Sequence, residues 1–205
     1  MVQVSEVVQD RRRLRGARSR RTILRHAVDV ASADGLDGLS FGRLAGDLGV
    51  SKAGIQTLFG TKENLQIAVA AAAREVFQDA VVAPALAVPP GPARLRALVD
   101  RWIAYAAEPL FPGGCFWAAN LPVFDSRPGP LREVLAAQQR DWRALLADQV
   151  RHAASPSGRA PAEADLVAFQ IDAVLTATNT ALRLGETGSV DRARRAIDRL
   201  VGPAA

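Results

Sequence analysis

The chain has 205 residues, of which 49% are hydrophobic and 23% charged, and its formal net charge is +5. That length supports one large or two small domains with a buried core, and the balance is that of an ordinary water-soluble protein. A single cysteine excludes an internal disulfide and a multi-cysteine zinc site, and no apolar stretch is long enough to span a bilayer.

The first 18 residues are read as irregular and rich in arginine, eight of which fall between Arg11 and Arg25. No apolar segment follows these charges, so no secretory signal is predicted and a cytoplasmic location is expected. Residues 1–65 hold eleven Lys and Arg against seven Asp and Glu, while the remainder is nearly neutral. A basic cluster at one end suits a polyanion, nucleic acid above all, or else is a solvated tail.

From Ser19 to Ala33, Ile23, Leu24, Ala27, Val30 and Ala31 recur at the spacing of one helix face. The string ADGLDGLS then signals turns. Ser40 is a predicted N-cap for a short helix to Asp47, with Phe41, Leu44 and Ala45 inward. Gly49 stands where a tight turn requires positive φ. Ser51 caps a second short helix to Phe59 that buries Ile55 and Phe59, and Gly60 ends it. Thr61 caps a fourth, longer helix running past Phe77, with Glu63 suited to its positive N-terminal end.

Four prolines in VVAPALAVPPGPA predict a loop between two domains, dividing the chain into 1–80 and 81–205. Beyond it helices are expected over Pro92–Glu108, Phe116–Phe124, Pro130–Ala154, Pro161–Leu184 and Ser189–Val201, with EPLFPGGC, DSRPGP, ASPSGRAP and LGETGS between them. No stretch alternates with period two, so the expected class is all-α.

Two short helices joined by a glycine turn, behind a basic arm, describe a helix-turn-helix. The second helix of such a unit enters the major groove and needs compact hydrogen-bonding side chains. SKAGIQTL supplies Lys52, Gln56 and Thr57 outward and Ile55 inward, while Gly54 leaves bare helix surface. Lys62 and Lys52 are the only lysines in the chain, and both fall in this segment. Arg20 and Arg21 are candidates for the flanking DNA backbone or the minor groove, Arg43 for a phosphate, and Ser40 and Ser51 for contacts at the helix starts.

Thr22 to about Gln66 resembles the DNA-binding domain of the tetracycline-repressor (TetR) family. The resemblance rests on Ile23-Leu24, Ala27, Gly38, Leu44-Ala45, Leu48-Gly49-Val50-Ser51, Phe59 and Lys62-Glu63-Asn64-Leu65. It departs at Gln56, where the family commonly has tyrosine, and at Leu58, where an aromatic or histidine is common. Gln56 can instead read adenine through N6 and N7, and Thr57 can pack on a thymine methyl. GGCFWAANLPVFDSRPGPLREVL and LGETGSVDRARRAIDRLV look like the ligand and dimer region of one subgroup.

The resemblance implies an N-terminal three-helix domain on double-stranded operator DNA and a C-terminal helical domain for a small-molecule effector. It implies a homodimer through the last two helices, a pseudo-palindromic operator, and repression relieved when the effector swings the fourth helix. The aromatics Trp102, Tyr105, Phe116, Trp117, Phe124 and Trp142 are candidates for lining an effector pocket. Asn120, Gln170 and Thr176, like Asp172 and Asn179, are polar residues in apolar surroundings that call for partners.

His26 and His152 stand in no catalytic arrangement, and HExxH and GxSxG do not occur. No catalytic residue, metal site or cofactor is expected. Cys115 is read as a small buried hydrophobe, with oxidant sensing the alternative. A helical binding protein or enzyme that retains a helix-turn-helix, and a sequence-nonspecific DNA binder, are the other readings.

Overall fold

The computed structural model describes residues 2–108, 110–153 and 161–201. Helix α1 spans Val2–Asp34, α2 Phe41–Leu48, α3 Lys52–Phe59 and α4 Lys62–Phe77, with a short 3-10 turn at Leu36–Gly38. The C-terminal part comprises α5 (Ala83–Leu86), α6 (Pro92–Ala107), α7 (Phe116–Phe124), α8 (Pro130–Ala153), α9 (Pro161–Arg183) and α10 (Ser189–Val201). Among the described residues there is no strand, and no helix is long and apolar enough to cross a membrane. The expected connection over 154–160 lies outside them.

Local signals place the N-terminal helices. The side chains of Ser40, Ser51 and Thr61 accept hydrogen bonds from the backbone N–H groups of Arg43, Gly54 and Asn64, which satisfies a donor left free at each helix start. Gly49 has φ 63° and ψ 32°, the left-handed conformation that ends α2 and turns the chain into α3. Ile23, Ala27 and Ala31 of α1 are buried with Leu39, Leu44, Ile55, Phe59 and Leu65, so the two short helices sit on a base formed by α1 and α4.

Two expectations are corrected. The N-terminal segment is helical from Val2, not irregular: it contains no proline, and arginine is a good helix former. A helix already nucleated by the buried stripe Ile23–Ala31 extends backwards at low cost. The proline-rich stretch is also helical as far as Leu86. Pro84 lacks an N–H, and in an α-helix its ring would press on the carbonyl four residues earlier. The chain relieves this with a wider turn over Gln78–Val82, in which Ala83 N–H donates to the Gln78 carbonyl five residues back. Val81, Val82 and Ala85 are buried, so tertiary packing holds the distorted helix in place. α4, the wide turn and α5 form one rod from the recognition unit into the C-terminal bundle.

In that bundle α9 packs on α8, α10 and α6, and α8 also packs on α4 and α7. α7 lies against α1, which brings the C-terminal domain onto the N-terminal one. The loop before α7 does the same: Gly113 N–H donates to Ser32 Oγ at 3.0 Å.

Candidate nucleic-acid interface and ligand cavity

α3 turns Ile55 and Phe59 into the core and leaves Lys52, Gln56, Thr57 and Leu58 exposed on its outer face. Thr57 Oγ1 donates to the Ala53 carbonyl at 2.8 Å, which aims its methyl and hydroxyl as a fixed unit. Gly54 has a local reason beyond bare surface, because a Cβ there would stand 2.9 Å from the capping Ser51 hydroxyl.

The flanking basic residues are held by the protein itself. The Arg20 guanidinium lies 4.7 Å from the centre of the Phe59 ring, tying α1 to the end of α3. Arg43 pairs with Asp34 at 2.6 Å and lies 3.8 Å from Asp47, which in turn holds His26 at 2.9 Å. Lys62 Nζ donates to the Asp37 carbonyl at 2.9 Å, seating the start of α4 on the 3-10 turn. Arg21 is exposed. Arg20, Lys52, Gln56, Thr57 and Lys62 thus belong to one folded unit, while Ser40, Ser51 and Arg43 also serve its internal structure.

The C-terminal bundle and the α4 rod line a partly open cavity of about 520 Å³, within the ~300–1,000 Å³ range of small-molecule sites. Its walls come from the α4 rod (Arg74, Phe77, Gln78, Val82), α6 (Trp102), α7 (Trp117, Leu121), α8 (Gln138, Trp142, Arg143) and α9 (Phe169, Asp172, Thr176). The Phe77 ring packs edge-on against Tyr105, Trp117 and Trp142 at 5.0–5.3 Å, the preferred geometry for aromatic pairs. Charged wall residues are neutralised in pairs. Arg74 meets Asp141 at 2.7 Å and Arg143 meets the buried Asp172 at 2.7 Å, with Gln139 also donating to Asp172. Trp142 Nε1 is buried without a hydrogen-bond partner.

Of the candidate pocket residues, the structure gathers Trp102, Trp117, Trp142 and Thr176 around this cavity and sets the other five elsewhere. Tyr105 is buried with its hydroxyl accepting from Phe116 N–H at 3.0 Å, and burial pushes its phenol pKa well up. Phe116 is wholly buried in the core, and Phe124 carries the Arg127 guanidinium at 5.4 Å. Gln170 is half-buried on α9 outside the cavity wall. Asn120 is fully buried: its Oδ1 accepts from Leu36 N–H at 2.7 Å, and its Nδ2 donates to the carbonyls of Ala31 and Phe116. Gln66 of α4 donates to the Leu36 carbonyl at 2.9 Å, so one residue of the turn is gripped from α7 and α4 together.

The sequence reading missed the α4 wall and the glutamines of α8. Gln138 accepts from Trp117 Nε1 at 2.9 Å and donates to the Ala70 carbonyl of α4 at 3.2 Å, which links cavity to rod. Asp172 and Asn179, flagged as needing partners, are buried and have them; Asn179 accepts from Cys115 N–H at 2.8 Å. Cys115 lies in the cavity wall, and burial pushes its thiol pKa up, which favours the protonated form. Among the described residues no group of three or more His, Cys, Asp or Glu side chains could hold a metal ion.

Residues 91–197 match the family model described as "Tetracyclin repressor-like, C-terminal domain". The fold is similar to that of a TetR transcriptional regulator from Chloroflexus aurantiacus J-10-FL, with TM-score 0.75 and 24% identity over 91% of this chain and 94% of that one. A putative transcriptional regulator from Saccharomonospora viridis, solved in complex with choline, gives TM-score 0.74 and 20% identity over 90% and 96%. AibR, solved with isovaleryl coenzyme A and operator DNA, gives TM-score 0.69 and 18% identity over 90% and 99%. No curated protein sequence matches the chain significantly.

Proposed function

The chain belongs to the tetracycline-repressor family, and on that premise we propose that it is a transcriptional repressor released from operator DNA by a small, uncharged, largely apolar effector. The observation that carries this reading is the α4 rod. One end of it stands behind α3, where Leu65 is buried, and the other end forms a wall of the aromatic cavity through Arg74, Phe77 and Gln78. A molecule that displaces the cavity end displaces the end that seats α3. The effector must bind the DNA-incompetent arrangement more tightly, and couplings of this kind are typically about 1–3 kcal/mol. The ligand-bound relatives support an effector role, and the relative bound to operator DNA supports the DNA role.

The effector class follows from the walls. Both arginine–aspartate pairs are already neutral, so an unpaired charge on the ligand would find no counter-ion waiting. The reading places the protein in the cytoplasm as a homodimer and involves no catalytic step. Of the last two helices, α9 carries the apolar face, with Leu166 and Phe169 exposed and Leu184 exposed just beyond its end, whereas the exposed side of α10 is charged. A twofold dimer would read a pseudo-palindromic operator with half-sites a helical turn or its multiples apart.

Sequencing the DNA fragments retained by the purified protein tests this directly. A shared inverted repeat is expected. Retention of fragments with no common sequence would leave only nonspecific binding.

Gln56→Ala is expected to cost about 1–3 kcal/mol at the operator and to relax the choice of one base pair per half-site. Lys62→Ala should instead weaken binding to all sequences by a similar factor. Titrations against a set of single-base operator variants separate the two; unchanged base preference in Gln56→Ala would misplace the reading face. Removal of residues 1–18 should leave the buried stripe of α1 intact, lower affinity for operator and random DNA alike, and flatten the salt dependence. Equal affinity at moderate salt would make the basic segment a bystander.

A further inference from the structure

We propose that the centre of α3 reads C5-methyl groups in the major groove, whichever pyrimidine carries them, so that 5-methylcytosine is bound in place of thymine. This rests on the operator reading above and names the chemistry by which the operator is read.

At about 100° per residue, Ala53 and Thr57 point away from the buried Ile55 and Phe59, and Gly54 lies beside them. Gln56 and Leu58 stand to either side of Thr57, with Lys52 farther round. The centre of the exposed face offers no free side-chain donor. Ala53 and Gly54 carry none, and Thr57 Oγ1 gives its proton to the Ala53 carbonyl at 2.8 Å. It presents instead the Ala53 methyl and the Thr57 methyl.

The apolar character continues beyond these two. Val50, just before α3, is 46% exposed and Leu58 38%. Arg21, Lys52 and Lys62 are exposed in the same folded unit. A basic frame around an apolar centre matches phosphates around a groove better than it matches a protein surface. Within that groove the apolar group on a base edge is the C5-methyl of thymine, and alanine and threonine methyls are its usual partners. 5-Methylcytosine carries its methyl on the same ring carbon.

Spacing agrees. Side chains four apart on a helix lie about 5–6 Å from one another, and base pairs are stacked about 3.4 Å apart. Ala53 and Thr57 therefore reach methyls on pairs one or two steps apart. Burying one methyl changes affinity by a factor of about 3–4. A reader of this kind separates thymine from cytosine but not from 5-methylcytosine, so cytosine methylation at these positions raises occupancy.

The probe is a double-stranded DNA library of random sequence, amplified with dTTP, from which the purified protein retains its preferred sequence. That sequence is remade with deoxyuridine for one thymine at a time, which removes a methyl and nothing else. At one or two positions per half-site the change should weaken binding about 3- to 4-fold, or about 10-fold when made in both half-sites. At the same positions 5-methylcytosine·guanine should bind about 3- to 4-fold more tightly than cytosine·guanine. Thr57→Ser keeps the hydroxyl without the methyl and should erase the uracil penalty at one position. Thr57→Val keeps a methyl without the hydroxyl and should leave that penalty in place. The nucleotide comparisons use the unaltered protein, so they decide the matter even if circular dichroism shows that a variant has lost helix. Uracil tolerated at every position overturns the proposal. So does methylated cytosine bound no better than cytosine, or a full set of uracil penalties that survives Thr57→Ser. A shared inverted repeat with silent methyls overturns this proposal alone, whereas a library that yields no shared sequence counts against the operator reading and takes this proposal with it.

Discussion

Replacing Asn120 with leucine is expected to lower stability by about 2–4 kcal/mol and to loosen the C-terminal domain from the turn that precedes the recognition unit. The side chain is wholly buried and serves three backbone groups: Leu36 N–H and the carbonyls of Ala31 and Phe116. Leucine has similar bulk, so packing is nearly kept and the loss is polar. The Leu36 N–H in particular would be left in the interior without its acceptor, at about 1–3 kcal/mol for one such group. For a chain of this size the thermal midpoint should fall by about 6–12 °C.

Hydrogen exchange at Leu36 offers a second readout, since its amide is protected by that single side chain. Asn120→Asp separates acceptor from donor. It keeps an oxygen for Leu36 but points a carboxylate at two carbonyl oxygens, so it should be at least as damaging as leucine. An Asn120→Leu protein with the wild-type midpoint would remove the polar link from this account.

Much of the N-terminal half was legible because its signals are local. Ser40, Ser51 and Thr61 each accept from an N–H only three residues on, and Gly49 needs nothing beyond its own φ and ψ. The ends of α7 and α10 were read for the same reason. Pro84 shows where local reading stops. A proline ends a helix in isolation, but buried Val81, Val82 and Ala85 make continuing through a wide turn the better outcome. Which side chains face the cavity depends on helix rotation. Phe116, Asn120 and Phe124 share the face of α7 that looks into the core, so Trp117 and Leu121, about 100° away, must be the ones on the cavity. Taking both Phe116 and Trp117 as pocket residues ignored that angle. The same holds on α6, where Trp102 reaches the cavity while Tyr105 turns its hydroxyl to the backbone of α7. The fourth helix was expected to run past Phe77, but its continuation through Pro84 to Leu86 was not, because that depends on the burial of Val81, Val82 and Ala85 against the rest of the fold.

Gly113→Ala is expected to separate the two halves of the function. A Cβ at this position would stand 1.8 Å from the Ser32 carbonyl oxygen, 2.1 Å from its carbon and 2.5 Å from Ala33 N. All three are backbone atoms of α1, so no rotamer change relieves the clash and the loop before α7 has to move away. Overpacking typically costs about 1–3 kcal/mol, and a backbone collision belongs at or above the top of that range. The hydrogen bond from Gly113 N–H to Ser32 Oγ would go with it, and so would the alignment of Cys115 N–H on Asn179. The core of the recognition unit, with Leu39, Leu44, Ile55, Phe59 and Leu65, lies outside this contact and should persist. The variant should therefore still bind operator DNA but respond weakly to effector, because the loop that leads into α7 would no longer be fixed to α1. Gly46→Ala is the matched control: nothing stands within 4 Å of the added carbon, and alanine in this exposed helix should be neutral or stabilise by about 0.5–1 kcal/mol. Thermal unfolding of the pair, followed by operator titration with and without effector, checks both parts. Full effector release from Gly113→Ala would show that the α4 rod alone carries the signal.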